Sequence, residues 1–205
     1  MLLEIHPQNP DERKIKQIIQ ILLDGGIIIY PTDTVYSIGC DIQNNKAIER
    51  IARLKGVKVD KANFSLVCYD LSHITEYSKQ LSNPVFKLMK NVLPGPYTFI
   101  LEAGRNIPKI FSEKKKTIGI RVPDNNIARC IVKELGRPII VTSVHDDDAL
   151  MEYATDPELI HEKFEKLVDV VIDGGPGGLE ASTVLDCTGD EITVIREGKG
   201  SVEVI

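Results

Sequence analysis

No apolar run in the chain approaches the roughly 18 to 20 residues that a membrane-spanning helix needs. The N-terminal stretch MLLEIHPQNPDERK lacks the basic, apolar and small-residue order of a signal peptide. The expectation is a soluble, cytoplasmic protein. Cysteine is scarce and scattered: Cys40, Cys68, Cys130 and Cys187 form no CxxC pair and have no histidine at zinc-ligand spacing. They read as reduced, mostly buried thiols. Also missing are internal repeats, heptads and low-complexity linkers, so no domain boundary can be placed and residues 1–205 are read as one domain. What is present suits that reading, since 205 residues at 42% hydrophobic content suffice for one sizeable α/β core.

An excess of positive charge is absent too. The net charge is −5, which argues against a nucleic-acid binder on total charge alone. The distribution says something different. Residues 46–121 hold 15 Lys plus Arg against 6 Asp plus Glu, a local balance of +9 inside an otherwise acidic chain. Because salt screens charge over roughly 10 Å, a local basic surface can hold polyphosphate or RNA on an anionic protein. Ordinary solvated helix faces are the plainer account of most single lysines.

Patterning gives the elements. Asn9 is a cap candidate with Pro10 at the first helical position and Glu12 in the capping-box place, followed by the apolar stripe Ile15, Ile18, Ile19 and Leu22. Gly25 and Gly26 end that helix, and IIIY (27–30) follows as a short buried strand. The alternation continues with helices over 44–56, 71–78, 83–95, 125–136 and 156–167, and with strands in NFSLVCY, YTFILE, TIGIRV, PIIVTS, VDVVID, STVLDCT and ITVIRE. The stretch AGRNIPKIFSEKKK reads as a loop. Interleaved helices and strands, with the last two strands joined by a short turn at Gly189, predict an α/β fold whose twisted sheet mixes parallel and antiparallel strands, flanked by helices.

Several stretches can carry chemistry. In YPTDTVYSIG, Pro31 cannot donate to a ladder, so the strand leaves the sheet and presents Thr32, Asp33 and Thr34 at its end, where α/β folds place ligands. A turn closing on its own backbone is the competing account. Arg50, Arg53, Lys55, Lys58 and Lys61 run from a helix end into a loop; the helix dipole favours the first of these, but gives no reason for Lys58 and Lys61. Arg121 sits inside the apolar strand TIGIRV and needs an anionic partner, either a protein carboxylate or a ligand's phosphate or carboxylate. Thr117, four residues earlier, shares its strand face. In SVHDDD, His145 with Asp146 and Asp148 reads as a divalent-metal candidate or as a solvated loop, and no metal ligand is assigned. The glycine-rich DGGPGG follows a strand but precedes another strand, so it fails the context of a phosphate-binding helix loop.

Read together, YPTDTVYSIGCD, LKGVKVDK, LPGPYTFIL, TIGIRVPDNNIA, RPIIVTS, IDGG, STVLDCTG and IREG stand in the order and spacing of the YrdC/YciO family, over about residues 9–200. IHPQNP, FKLMKN and REGKG resemble the YciO branch more than the YrdC branch. The resemblance implies a single domain with a positively charged concave surface. It also implies L-threonylcarbamoyladenylate synthase-type chemistry, in which threonine, bicarbonate and ATP, with Mg²⁺, give threonylcarbamoyl-AMP and pyrophosphate for tRNA modification. A branch variant acting on that intermediate or product, and a non-catalytic protein binding nucleotide, tRNA or double-stranded RNA, are the alternatives. Carried over by position, the threonine side comprises Thr32, Thr34, Arg121, Ser143 and Ser182, and the ATP side Lys55, Lys61, Thr117 and Arg196. Two departures stand out. Lys55-Gly56-Val57 replaces a Lys-x-Arg pattern, and TSVHDDD replaces Ser-Ala-Asn followed by Ser-Gly.

Overall fold

The computed structural model describes residues 1–112, 116–143 and 155–205. In chain order these form β1 (Leu2–Glu4), α1 (Glu12–Leu23), β2 (Ile28–Tyr30), β3 (Ser37–Asp41), α2 (Asn45–Leu54), β4 (Ser65–Val67), α3 (Leu71–Tyr77), α4 (Asn83–Val92), β5 (Tyr97–Glu102), α5 (Lys109–Ser112), β6 (Thr117–Arg121), α6 (Asn126–Leu135), β7 (Ile139–Ser143), α7 (Pro157–Phe164), β8 (Val170–Asp173), β9 (Thr183–Asp186) and β10 (Thr193–Arg196). The ten strands build one sheet in the order β1-β8-β2-β3-β7-β4-β6-β5-β9-β10. Parallel pairs (β1·β8, β2·β8, β4·β6, β5·β9) are mixed with antiparallel ones (β2·β3, β3·β7, β4·β7, β5·β6, β9·β10). The mixed sheet expected from the patterning is therefore observed.

Local chemistry sets the helix ends. The first cap is Asp11 rather than Asn9, because its carboxylate accepts from the Arg13 and Lys14 amides at 2.8 and 3.1 Å and so satisfies two donors of the first turn. Asn44, Asp70 and Asn125 cap α2, α3 and α6 in the same way. Gly136 ends α6 in the left-handed region at φ +71. Three short elements escape the pattern. β1 and β3 were not anticipated, and α5 lies within the stretch read as a loop.

The strand alternation sorts side chains into two layers. On one face Ile27, Ile29, Ile38, Leu66, Phe99 and Ile120 pack with α2 and α4. On the other, Ile28, Tyr30, Ile139, Val141 and Val170 pack beneath α1 and α6. Each fully buried branched side chain contributes about 1.5–3 kcal/mol, so both layers matter. β5, β6 and β9 add nothing to the second layer. There the alternation instead presents Thr98, Gly119 and Arg121, so that part of the face is floored by small and polar groups.

Candidate ligand-binding site

After Tyr30 the chain leaves the sheet at Pro31 and returns as β3 at Ser37. The Thr32 hydroxyl donates to the Val35 carbonyl at 2.7 Å and accepts from the Thr34 amide at 3.1 Å. A hydroxyl has one proton, so across the 3.0 Å contact between the two threonine hydroxyls Thr34 is the donor. Thr34 in turn accepts from the Arg121 guanidinium at 3.0 Å. Thr32 is thereby spent on fastening the turn, whereas Thr34, buried at 1% exposure, keeps one lone pair unused among the described residues.

Arg121 closes the arrangement. Its Nη2 also donates to Asp33 Oδ1 at 2.9 Å, an ion pair in which both side chains are 8% exposed. Among the described residues its Nε, the Asp33 Oδ2 and the Tyr30 hydroxyl are buried without a hydrogen-bond partner. Burial pulls the Arg121 pKa below its ordinary value, and the Asp33 carboxylate opposes that shift. The partner left open by the sequence is thus Asp33, and the buried Nε of the guanidinium is to spare.

Beside this cluster stands a second one. Thr98 and Ser182 share a 2.8 Å hydroxyl contact. Arg196 donates from Nε and Nη2 to the Ser182 carbonyl at 3.2 and 2.8 Å. The two clusters meet through the C-terminal segment, where the Lys199 amide donates to the Ala181 carbonyl at 2.9 Å and its ammonium to the Asp33 carbonyl at 2.6 Å. A third wall comes from the glycine-rich loop. Gly178 donates to the Thr34 carbonyl at 2.8 Å, and a Cβ there would lie 2.4 Å from that oxygen. Tyr36 ties the loop down, donating to the Gly175 carbonyl at 2.7 Å, and its burial keeps the phenol protonated.

The remaining positions lie apart from these bonds. Ser143 is half-buried and sits opposite Ser37 in the β3·β7 ladder. Thr117 shares the Arg121 face but occupies the far end of β6, about 13 Å away along the strand, exposed opposite Glu102. That end borders a groove of about 500 Å³ lined by Ser78, Lys79 and Arg105, which shares no lining residue with the Arg121 cluster. Lys55 caps the C-terminus of α2, Val57 is 42% exposed, and Lys61 is exposed at the end of a one-turn helix packed on α2 and α5. Residues 144–154, with the His145–Asp148 stretch, lie outside the described residues. Among the described residues no group of three His, Cys, Asp or Glu side chains could hold a metal. The sequence reading did not single out Thr98, Tyr36 or Lys199. Each bond they make spans a long stretch of chain, and only the REGKG motif gave Lys199 any signal.

The fold and the site define an α/β protein with a mixed sheet and a floor of hydroxyls and guanidinium groups suited to a small polar, anionic ligand. The chain belongs to the Sua5/YciO/YrdC family, whose model, described as "Telomere recombination", matches residues 20–198. It is 45% identical over 201 residues to the uncharacterized protein YciO of Escherichia coli strain K12, covering 97% of this chain and 96% of that one. The crystal structure of E. coli YciO superposes with a TM-score of 0.92 at 43% identity over 100% and 98% of the two chains. A more distant relative is the threonylcarbamoyl-AMP synthase of Nitrosococcus oceani, 31% identical over 132 residues, or 64% of this chain and 71% of that one. P. abyssi Sua5 complexed with L-threonine shares the fold at a TM-score of 0.88 and 24% identity, over 99% of this chain and 59% of its own.

Proposed function

We propose that the chain is a threonylcarbamoyl-AMP synthase-type nucleotidyltransferase, or a branch variant working on the same adenylate. The observation that carries this reading is the buried Arg121, which is bound to the Thr32–Thr34 turn yet has a guanidinium donor without a partner. A relative that is a threonylcarbamoyl-AMP synthase supports it. In the proposed reaction the amine of threonine and bicarbonate give a carbamate and water. A carbamate oxygen then attacks the α-phosphorus of ATP, the bond to the bridging oxygen breaks, and pyrophosphate leaves with its electron pair. The protein has to position the reactants and offset negative charge, so no side-chain nucleophile is required. Arg121 and the free lone pair of Thr34 face the amino-acid part, while Arg196 and the Lys55–Lys61 loop serve the phosphates. Mg²⁺, accompanying the nucleotide, would offset phosphate charge beside Arg196 and the Lys55–Lys61 loop.

Pyrophosphate release, measured with ATP, threonine and bicarbonate and with each omitted in turn, tests the proposal. Release should need all three, and release that persists without threonine would sink the synthase reading. The exposed Val57, standing where the active YrdC-branch pattern has arginine, favours a second reading in which the chain binds nucleotide or RNA without turnover. Salt-sensitive binding with no threonine-dependent release is its signature.

A further inference from the structure

The last residues of the chain form a strap against the site. Gly198 donates to the Thr183 hydroxyl at 2.9 Å, the Lys199 amide donates to the Ala181 carbonyl at 2.9 Å, and the Tyr97 hydroxyl donates to the Ser201 carbonyl at 3.1 Å. A Cβ at Gly198 would lie 2.3 Å from the Ala181 carbonyl oxygen, so the strap runs where only glycine fits. From this fixed backbone Lys199 reaches over the turn to the Asp33 carbonyl, 166 positions away in the chain.

That contact uses one of three ammonium donors and leaves the charge unneutralised. Among the described residues Lys199 makes no ion pair, and neither does Arg196, whose bonds go to the Ser182 carbonyl and hydroxyl. Arg121 and Lys199 therefore bond to one turn, whose only carboxylate is Asp33, already paired to Arg121, and Arg196 stands near enough to Arg121 to help lower its pKa. A lysine tethered to a carbonyl, solvent-exposed and beside another cation without a carboxylate, is placed for an anion supplied from outside.

We propose that Lys199 is a ligand-contacting cation of this site, taking a phosphate group of the bound nucleotide or its pyrophosphate product. This rests on the nucleotide reading but assigns a residue and a charge that the reading does not need. A ligand with a carboxylate at Arg121 and a phosphate at Lys199 would answer both positions, as the adenylate of an N-carboxylated amino acid does, since its carbamate oxygen bonds phosphorus and its α-carboxylate stays free. Lys199 would then partly offset the charge missing at Val57.

The test uses the full chain and calorimetric titration with inorganic pyrophosphate, AMP and, as the uncharged control, adenosine. Lys199→Gln keeps a donor for the Asp33 carbonyl and removes the charge; it should weaken pyrophosphate and AMP about tenfold and leave adenosine unchanged. Lys199→Arg should retain most of the affinity. The melting temperature of Lys199→Gln should stay at the parent value. An equal loss for AMP and adenosine would assign Lys199 a merely structural role and overturn the proposal. So would unchanged pyrophosphate binding, or a parent protein that binds none of the anionic probes. If the parent binds pyrophosphate, Lys199→Gln weakens it, and no threonine-dependent release occurs, the synthase reading fails while this inference stands.

Discussion

Arg121 and Asp33 are each 8% exposed and bonded at 2.9 Å, which makes them an all-or-nothing pair. Removing one partner strands the other charge in the interior, whereas replacing both costs little, because desolvation roughly offsets the attraction. Arg121→Met is therefore expected to lower unfolding stability by about 3–5 kcal/mol. Asp33→Asn combined with Arg121→Met should recover most of that loss. Urea denaturation of both variants checks the prediction, and an unchanged midpoint in Arg121→Met would contradict a buried pair. The need for an anion was legible from one arginine in an apolar strand, but its identity was not. Asp33 and Arg121 are 88 positions apart, and strand periodicity carries no information about a loop folding back over a distant strand end.

At the level of elements, helices were legible where a cap and an apolar stripe coincide, as in α2, α6 and α7. Strand β3 was missed because its sequence, SIGCD, puts Ser37, Gly39 and Asp41 on the floor side, and such residues imitate a loop. β1 was missed because three residues at a sheet edge, mostly exposed, show no alternation. The cap of α1 moved two residues from Asn9 to Asp11 because caps are chosen by where the carboxylate reaches free amides. One element also carries a titration. In α3, the Nδ1 of His73 accepts from the Tyr69 amide at 3.2 Å, and burial holds the ring below its ordinary value of 6.5, against the weaker upward pull of Glu76 and Asp70. Below pH 6.5 the unfolded chain takes up a proton that the folded ring resists, so this contribution is complete above 6.5 and is lost as pH falls through the folded value. His73→Gln should flatten the loss of melting temperature between neutral and mildly acid pH. An unaltered slope would place that loss elsewhere.

For the whole molecule, the architecture follows from two apolar layers that share one sheet but cover it unequally. The first layer extends under β5, β6 and β9 through Phe99, Ile118, Ile120 and Leu185, while the second stops short of them. That imbalance leaves a polar floor where Thr98, Gly119 and Arg121 sit, and it explains why residues from positions 32 to 199 converge there. Among the described residues the charge block read from the sequence reaches this floor through Arg121, while its loop cations, Lys58 and Lys61, stand exposed on a turn beyond α2. Whether that turn serves the same ligand is decided by Val57, which is 42% exposed two positions after Lys55. Val57→Arg adds a planar, permanently charged donor at the place where the YrdC-branch pattern has one, and an exposed position accepts it without repacking. The expected outcome is an ATP dissociation constant lowered about tenfold, an effect that shrinks as salt is raised, with the melting temperature unchanged. Equal ATP affinity in parent and variant at low salt would mean that the turn lies beyond the nucleotide's reach, leaving Arg196 and Lys199 as its cations.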